Sequence, residues 1–303
     1  MKKVAILTPT YNRKHTLPKL YESLKNQSNN DFRWFIVDDG SKDNTGGLIN
    51  KWKNEGLVDI SYLKKENGGK HTAINLGISI IREQLVFIVD SDDYITENAV
   101  ELIIKYADKY EKMREKEKLC GFCFLRYDSQ GNVNVAPFSE AEFIGNYIDT
   151  RINNGLGGDK AEVFYREVLK EYPFIEYPGE KFMPEDAVWI SMSQKYNMVH
   201  ANEKIYICDY LEGGLTRTGR RMKIHSPKGM VLRSKLFIND QRVCMKVRIK
   251  MMLLYIIYSC SAQITIKEAV ADINYKGLFY ILMLPGIVIY KKWKMELRSE
   301  YHK

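Results

Sequence analysis

Three carboxylates follow one apolar run and have the types and spacing to do chemistry. Residues 85–89 are apolar and rich in β-branched side chains, which is typical of a strand buried on both faces of a parallel sheet, and Asp90, Asp92 and Asp93 come next. At ~4 Å, like charges cost roughly 1 kcal/mol per pair in water and about 4 kcal/mol near a protein surface. A divalent cation removes that cost, and Mg²⁺ or Mn²⁺ takes oxygen ligands. The alternative is a solvated acidic turn before the next helix.

Strand-like and helix-like segments alternate four times around this motif and must position it. Hydrophobic periodicity predicts strands at residues 3–8, 32–37, 59–63 and 85–89, with helices at 17–26, after 43–45, at 70–81 and at 96–118. This alternation predicts an α/β fold with a doubly wound, mostly parallel sheet. The loops that follow its strands then gather at one edge, where open α/β sheets bind their ligands.

The pattern changes after Cys120. We expect a hairpin of residues 120–127 and 133–135, a strand at 161–165, a helix up to 172, a helix opened by Glu185 and Asp186, a strand over 198–210, and a loop from 213. Cys120 and Cys123 form an isolated CxxC, which favours two residues of a strand over a metal or redox site. The five scattered cysteines of this Lys-rich chain are typical of reduced, cytosolic thiols.

Loops after the first, second and fourth strands bring an aromatic ring and carboxylates to one crevice. Tyr11 can stack on a base, and a carboxylate of the pair Asp38 and Asp39 can accept a hydrogen bond from a base or a ribose. Each has an ordinary alternative, since Tyr11 is a common packing residue and Asp38-Asp39-Gly40 a common turn. The sequence has no GxGxxG and no GxxxxGK[ST], which disfavours dinucleotide cofactors and P-loop chemistry.

The assembled motifs resemble the inverting family-2 glycosyltransferases with the GT-A fold, and in particular bacterial capsular and cell-wall sugar transferases. The matching stretches are ILTPTYNR (6–13), FIVDDGSKDNT (35–45), NGGKHTAINLGI (67–78), FIVDSDDY (87–94) and PEDAVW (184–189). The resemblance covers about the first 215 residues. It implies that Pro9, Tyr11 and Asp39 hold the nucleobase and that Asp90 lies near the ribose.

The same resemblance assigns the reacting groups. It implies that Asp92, with Asp93, binds a metal on the donor diphosphate, and that Asp186 is the general base with Glu185 beside it. A carboxylate at a helix start is a chemically suitable base, because the helix N-terminus favours its ionised form. The alternative for Glu185 and Asp186 is plain first-turn helix acids after a proline.

Some positions depart from the family pattern. Many relatives carry Arg just before the Asn of the third motif, where this chain has Ile74. Lys70 or His71 takes over donor contacts, or both belong to an exposed helix start. The QxxRW motif of processive synthases is absent, which favours transfer of a single sugar. Arginines in the loop 213–221 either close over the diphosphate or form a basic surface; they are Arg217, Arg220 and Arg221.

The charge is concentrated at one end of the chain. Residues 217–303 contain 18 Lys and Arg against 5 Asp and Glu, or +13, whereas the residues before them carry −5. Uncharged runs at 251–266 and 277–290 span about 24 and 21 Å as helices, short of the roughly 30 Å bilayer core. Pro285-Gly286 is expected to interrupt the second run. The pattern favours helices on an anionic membrane surface, with a packed helical bundle as the alternative and nucleic acid as the lesser one.

We therefore expect a GT-A catalytic domain at 1–215 and a basic, apolar helical region at 216–303. The expected activity is a metal-dependent, inverting transfer of one sugar from a nucleotide-sugar, most simply a UDP-sugar with Mn²⁺ or Mg²⁺, to a glycan or lipid-linked glycan acceptor. The expected location is the cytoplasmic face of the cell membrane. The alternatives are an inactive nucleotide-sugar-binding or membrane scaffold protein, and a nucleotidyltransferase.

Overall fold

The chain forms two compact units in a computed structural model. The structure describes residues 2–133, 136–156, 158–209 and 215–300, with only the backbone described for 215–218 and 298–300. The first unit comprises residues 1–147, 156–174 and 192–210, and the second comprises 148–155, 175–191 and 211–303. The sequence-based division after residue 215 stays a prediction.

The first unit begins with the predicted alternation of strands and helices. Its elements are β1 (Val4–Thr10), α1 (Leu17–Lys25), β2 (Phe32–Asp38), α2 (Thr45–Glu55), β3 (Ile60–Lys64), α3 (Lys70–Ile80) and β4 (Leu85–Ile88). The four strands pair in parallel in the order β3-β2-β1-β4. All seven residues of β1 are buried, because helices cover both faces of a parallel sheet. The predicted α/β fold with its doubly wound sheet is confirmed.

The sheet then continues with strands of mixed direction. The further elements are β5 (Tyr94–Ile95), α4 (Ala99–Tyr110), β6 (Leu119–Tyr127), β7 (Glu142–Gly145), β8 (Ala161–Tyr165), α5 (Arg166–Glu171) and β9 (Asn197–Ile207). Strand β8 lies antiparallel between β4 and β6, while β9 is parallel to β6 and antiparallel to β5 and β7. At Gly121 a Cβ would lie 1.9 Å from the Val163 carbonyl oxygen, so this approach of β6 to β8 requires glycine.

One local prediction for this unit was wrong. The helix expected to reach residue 118 ends at Tyr110 and passes into a single 3₁₀ turn, Glu111–Met113. Beyond Tyr110 the sequence offers only one apolar side chain before Leu119, and that residue, Met113, is exposed, so no further turn is held by burial. Of the expected hairpin, the structure describes an antiparallel bridge between Tyr127 and Val133, and residues 134 and 135 lie outside the described residues.

The second unit is largely helical. Its helices are α6 (Asp186–Met192), α7 (Leu215–His225), α8 (Pro227–Asn239), α9 (Met245–Ser261), α10 (Ile266–Ala271) and α11 (Lys276–Glu300). The last residue of α6, Met192, is assigned to the first unit. Helix α9 packs against both α8 and α11. The loop predicted over 213–221 is helical from Leu215, and residues 213 and 214 lie outside the described residues. Within the described residues, no helix combines the length and the apolar character needed to cross a bilayer.

The predicted break at Pro285 was also wrong. Helix α11 runs through Pro285, which is exposed, while Gly286 faces α9 so closely that a Cβ would lie 2.6 Å from Ile256. Proline removes one backbone hydrogen bond and strains a helix interior. Packing against α9 on both sides of this position offsets that cost.

Candidate functional site

The acidic motif sits in a turn at the carboxyl end of β4. The Val89 N–H donates to the Leu7 carbonyl (3.0 Å), which continues the pairing with β1, and the Asp93 N–H donates to the Asp90 carbonyl (3.2 Å). Three carboxylates are thereby held in one turn at the sheet edge where open α/β sheets bind ligands. This is the placement that the sequence predicted.

Two of these carboxylates face cations from other loops. Lys70, the first residue of α3, places Nζ 2.5 Å from Asp90 Oδ1, and Arg13 places Nη2 3.5 Å from Asp92 Oδ2. Burial works to raise the pKa of Asp90, but the charges of Lys70 and Arg126 outweigh it and lower that pKa. The Asp92 side chain is 31% exposed, so it is accessible to a ligand.

The third carboxylate has a different environment. The Tyr206 hydroxyl donates to Asp93 Oδ2 at 2.7 Å and accepts from the Asp90 N–H at 3.0 Å, and Arg126 Nη1 lies 3.9 Å from Asp93. Burial, followed by the neighbouring Asp90 charge, raises the pKa of Asp93 to about 7. Asp93 thus faces inward, toward Tyr206 and Arg126.

Sequence reasoning missed Arg126 and Tyr206. Arg126 lies near the end of β6 and packs its guanidinium 4.0 Å from the Tyr206 ring. The available signal was an arginine after the apolar run of a predicted strand, because an unsatisfied cation is costly in such a position. Nothing local pointed to Tyr206, which is 113 residues from Asp93.

The Asp39 carboxylate stabilises the loop of residues 65–69 through hydrogen bonds. Its carboxylate accepts from Lys65 Nζ (2.9 Å), Asn67 Nδ2 (3.0 Å), the Gly68 N–H (2.9 Å) and the Gly69 N–H (2.7 Å). A carboxylate has about four acceptor sites, so protein donors fill them. Gly69 has φ of 100°, in the region that favours glycine, and it precedes α3. Asp39 therefore fixes the loop that presents Lys70 to Asp90.

The loop after β1 lies beside these groups in the first unit. Pro9 is buried and pairs with Val37 of β2, whereas the Tyr11 side chain is 44% exposed. The Asn12 N–H donates to Ser41 Oγ at 2.8 Å, which ties this loop to the one after β2. The Thr10 hydroxyl is buried and has no hydrogen-bond partner among the described residues. A buried hydroxyl of this kind suits a site that a ligand completes.

The donor set suits one kind of metal site. Within the described residues, no three His, Cys, Asp or Glu side chains are arranged to enclose a metal ion. Magnesium is commonly bound by one or two carboxylates together with waters and substrate phosphates. The accessible Asp92 beside Asp90 fits such a site, in which the ligand supplies the remaining oxygens. The described residues do not fit a metal site in which protein side chains supply every ligand.

The predicted base belongs to the second unit. Asp186 opens α6, and its carboxylate accepts from Arg233 Nε (2.7 and 2.8 Å) and Arg233 Nη2 (2.5 Å). This fork is the strongest geometry for an Arg–carboxylate pair. Arg233 lies in α8, whose first N–H groups, those of Lys228 and Gly229, donate to Glu180. Sequence reasoning missed Arg233, since nothing local marks a partner 47 residues away.

The second unit holds further cations, of which Lys223 lies near Arg233 and Asp186. Burial lowers the pKa of Lys223, and the neighbouring charges of Arg233 and Lys250 lower it further. Arg220 pairs with Glu296 at 2.9 Å and packs 4.9 Å from the Trp293 ring. Arg221 lies in α7, and the side chain of Arg217 lies outside the described residues.

Concavity alone does not identify the predicted residues. A groove of about 820 Å³ in the first unit is lined by residues of α1, by Tyr94 and by the segment that follows it. None of the predicted site residues lines this groove.

The family comparison covers the part of the chain that carries the acidic turn. The model of the family described as "Glycosyl transferase family 2" matches residues 5–113, a range that contains every predicted site residue except Glu185 and Asp186. Residues 5–113 belong to glycosyltransferase family 2. The chain is 37% identical over 110 residues to the poly(ribitol-phosphate) beta-N-acetylglucosaminyltransferase TarP of Staphylococcus aureus (strain N315), a match that covers 35% of this chain and 33% of TarP. The chain thus spans about a third of this relative.

Solved structures confirm the GT-A fold. A crystal structure of S. aureus TarS 1–349 in complex with UDP-GlcNAc superposes with a TM-score of 0.66 at 16% identity, over 98% of this chain and 92% of TarS 1–349. The mannosyltransferase PcManGT from Pyrobaculum calidifontis, in complex with GDP-Man and Mn²⁺, superposes with a TM-score of 0.57 at 13% identity, over 97% and 82%. At these identities the likeness concerns the fold. The family-2 resemblance drawn from the motifs is confirmed.

Proposed function

We propose that this family-2 protein is a metal-dependent, inverting glycosyltransferase that moves one sugar from a UDP-sugar to an acceptor hydroxyl in bacterial surface-polysaccharide synthesis. One observation carries the proposal: Asp90, Asp92 and Asp93 share a turn at the carboxyl end of β4, where Lys70 faces Asp90 and Arg13 faces Asp92. The choice of UDP is supported by TarS, which was crystallised with UDP-GlcNAc. The choice of a bacterial glycopolymer as acceptor is supported by the name of TarP, which is a poly(ribitol-phosphate) beta-N-acetylglucosaminyltransferase.

The donor diphosphate is proposed to lie at this acidic turn. Asp92, with Asp90 beside it, would hold Mn²⁺ or Mg²⁺, which when bound neutralises charge on the departing diphosphate. Asp93 would join them only by turning outward from Tyr206 and Arg126. Lys70 and Arg13 already pair with the carboxylates and can turn to phosphate oxygens when the donor enters. Asp90 also lies where it can accept from a ribose hydroxyl.

The nucleobase is proposed to bind over the loops after β1 and β2. Tyr11 is exposed enough to stack on a base, Pro9 shapes the floor, and the buried Thr10 hydroxyl gains a partner. Asp39 acts by holding the 65–69 loop. A direct bond from Asp39 to a base N–H requires displacing one of the four donors that it accepts from in this structure.

Asp186 is proposed as the general base on the acceptor side. It would take the proton of the acceptor hydroxyl as that oxygen attacks the sugar carbon from the face opposite the leaving diphosphate, which inverts the configuration. The hydrogen bonds from Nε and Nη2 of Arg233 fix the orientation of the carboxylate, and Glu185 orients the acceptor beside it.

A donor screen tests this function. The protein is incubated with UDP-, GDP- and dTDP-sugars, with Mn²⁺, with Mg²⁺ or with a chelator, and release of the nucleoside diphosphate is measured. We expect hydrolysis of a UDP-sugar that requires the metal. Tight metal-dependent binding of UDP without any hydrolysis or transfer would instead identify an inactive nucleotide-sugar-binding protein. Release of pyrophosphate from a nucleoside triphosphate with a sugar phosphate would identify a nucleotidyltransferase.

A further inference from the structure

One face of α11 exposes a row of large apolar side chains. Ile281, Leu284, Val288 and Met295 are 73, 69, 66 and 66% exposed. Their spacings of three, four and seven residues place them on one side of the helix. Tyr280, which is 57% exposed, lies beside them. We call these five residues the α11 stripe.

The opposite side of α11 is fixed by packing. The Phe279 ring lies 6.4 Å from the Tyr255 ring, and the Trp293 ring lies 6.4 Å from the Tyr258 ring. Gly286, midway between Phe279 and Trp293, approaches Ile256 closely. These three α11 residues recur every seven positions, so a single face docks on α9. Helix α11 is therefore held in one orientation, with the stripe turned away from α9.

Positive charge lies between Val288 and Met295 of the stripe on the same helix. Lys291, Lys292 and Lys294 are exposed. Among the α11 side chains that the structure describes, Glu296 is the acidic one, and Arg220 pairs with it at 2.9 Å. The stripe therefore shares its last two turns with a lysine cluster, and the one acidic side chain described there, Glu296, is paired with Arg220.

We propose that the α11 stripe and its lysines dock this protein on an anionic lipid bilayer surface. A helix with an apolar face and a basic end lies in the plane of the interface, its apolar side chains reaching the acyl boundary and its lysines among anionic headgroups. Lysine stems can extend so that the charge reaches the headgroups. The lysine cluster distinguishes this occupant from a second copy of the chain, because each copy would bring the same positive charge to the contact. This inference goes beyond the proposed function and does not rest on it.

Sedimentation of the chain of residues 1–303 with vesicles tests the proposal. We expect binding to vesicles that contain phosphatidylglycerol and much weaker binding to phosphatidylcholine alone, with the difference reduced by salt. Leu284→Ser combined with Val288→Ser should weaken binding roughly tenfold or more, since it removes apolar area. Lys291→Gln combined with Lys292→Gln should weaken it by a similar factor at low salt.

Matched controls lie in the first unit. Leu57→Ser removes an exposed leucine (63% exposed), and Lys51→Gln with Lys53→Gln removes two exposed lysines of α2. Both controls should bind vesicles like the wild type. The lysine variants on α11 do not touch the packed face, so they separate docking from folding.

Three results would overturn the proposal. In the first, the wild type binds both kinds of vesicle equally or binds neither. In the second, both α11 variants bind vesicles as well as the wild type does. In the third, light scattering shows that the wild type is a dimer and that the Leu284→Ser/Val288→Ser variant is not. The last result would assign the stripe to a contact between copies of the chain.

Discussion

Replacing Asp39 by alanine removes the acceptor of four hydrogen bonds at once. The Gly69 N–H is buried, and an orphaned buried donor costs about 1–3 kcal/mol. The donors of Lys65, Asn67 and Gly68 are partly exposed and can bond to water instead, so the loss of each of these hydrogen bonds costs only about 0.5–1.5 kcal/mol of stability. Because the loop can relax, these losses do not add fully. We expect the free energy of unfolding of Asp39→Ala to fall by about 3–5 kcal/mol.

Urea unfolding and amide hydrogen exchange measure this loss. Exchange should accelerate most in peptides covering residues 65–72, where the four bonds anchor the loop. Asp59→Ala is the control: Asp59 makes an exposed pair with Arg33, worth about 0–1 kcal/mol. The reasoning is refuted if Asp39→Ala unfolds within about 1 kcal/mol of the wild type, or if exchange over residues 65–72 does not change. Weakened UDP binding with unchanged stability would instead favour direct contact of Asp39 with the base.

The other predictions concern the base and the acid side of the stability profile. Asp186→Asn should keep UDP and metal binding in calorimetry, but its transfer rate should fall by at least about 10²-fold, because assistance by a base is worth about 10²–10⁴-fold. Glu185→Gln should lower the transfer rate less. A normal transfer rate of Asp186→Asn would place the base elsewhere. Burial works to raise the pKa of Glu142, but hydrogen bonds from Lys109 and Tyr110 outweigh it and lower that pKa. Glu142 thus stabilises the fold above its unfolded pKa, and this contribution is lost as the pH falls through its folded pKa. Glu142→Gln should therefore lose less stability on acidification than the wild type, as measured by thermal unfolding across pH. An identical fall in stability of the two proteins at acidic pH would count against the pairing of Glu142 with Lys109 and Tyr110.

The first half of the sheet was predictable because its signals are local. Largely apolar segments of four to seven residues, each closed by a turn and followed by helical spacing, specify β1 to β4 and the edge where Asp90 and Asp92 lie. The insertion of β8 between β4 and β6 had no local signal, since it depends on pairing between strands far apart in the chain. The length of α4 was overestimated because charged residues can continue a helix only where burial holds it.

The sequence predicted the carboxylates of the site but not the residues that bond to them. The carboxylates belong to short motifs, whereas the groups that face them come from distant positions: Tyr206 for Asp93 and Arg233 for Asp186. Asp39 shows the same limit. Its motif was recognised, but its four donors lie 26–30 residues on and became visible only in the folded loop.

Calorimetric titration of UDP into the wild type and Asp92→Asn, each with and without Mn²⁺, tests the central claim most directly. Asparagine keeps the shape of Asp92 but removes its charge, and Asp108→Asn, at a residue whose side chain is 66% exposed, is the control. We predict that Mn²⁺ tightens UDP binding by the wild type and by Asp108→Asn, and that Asp92→Asn loses this gain. An undiminished effect of Mn²⁺ on UDP binding by Asp92→Asn would contradict a donor site at the end of β4.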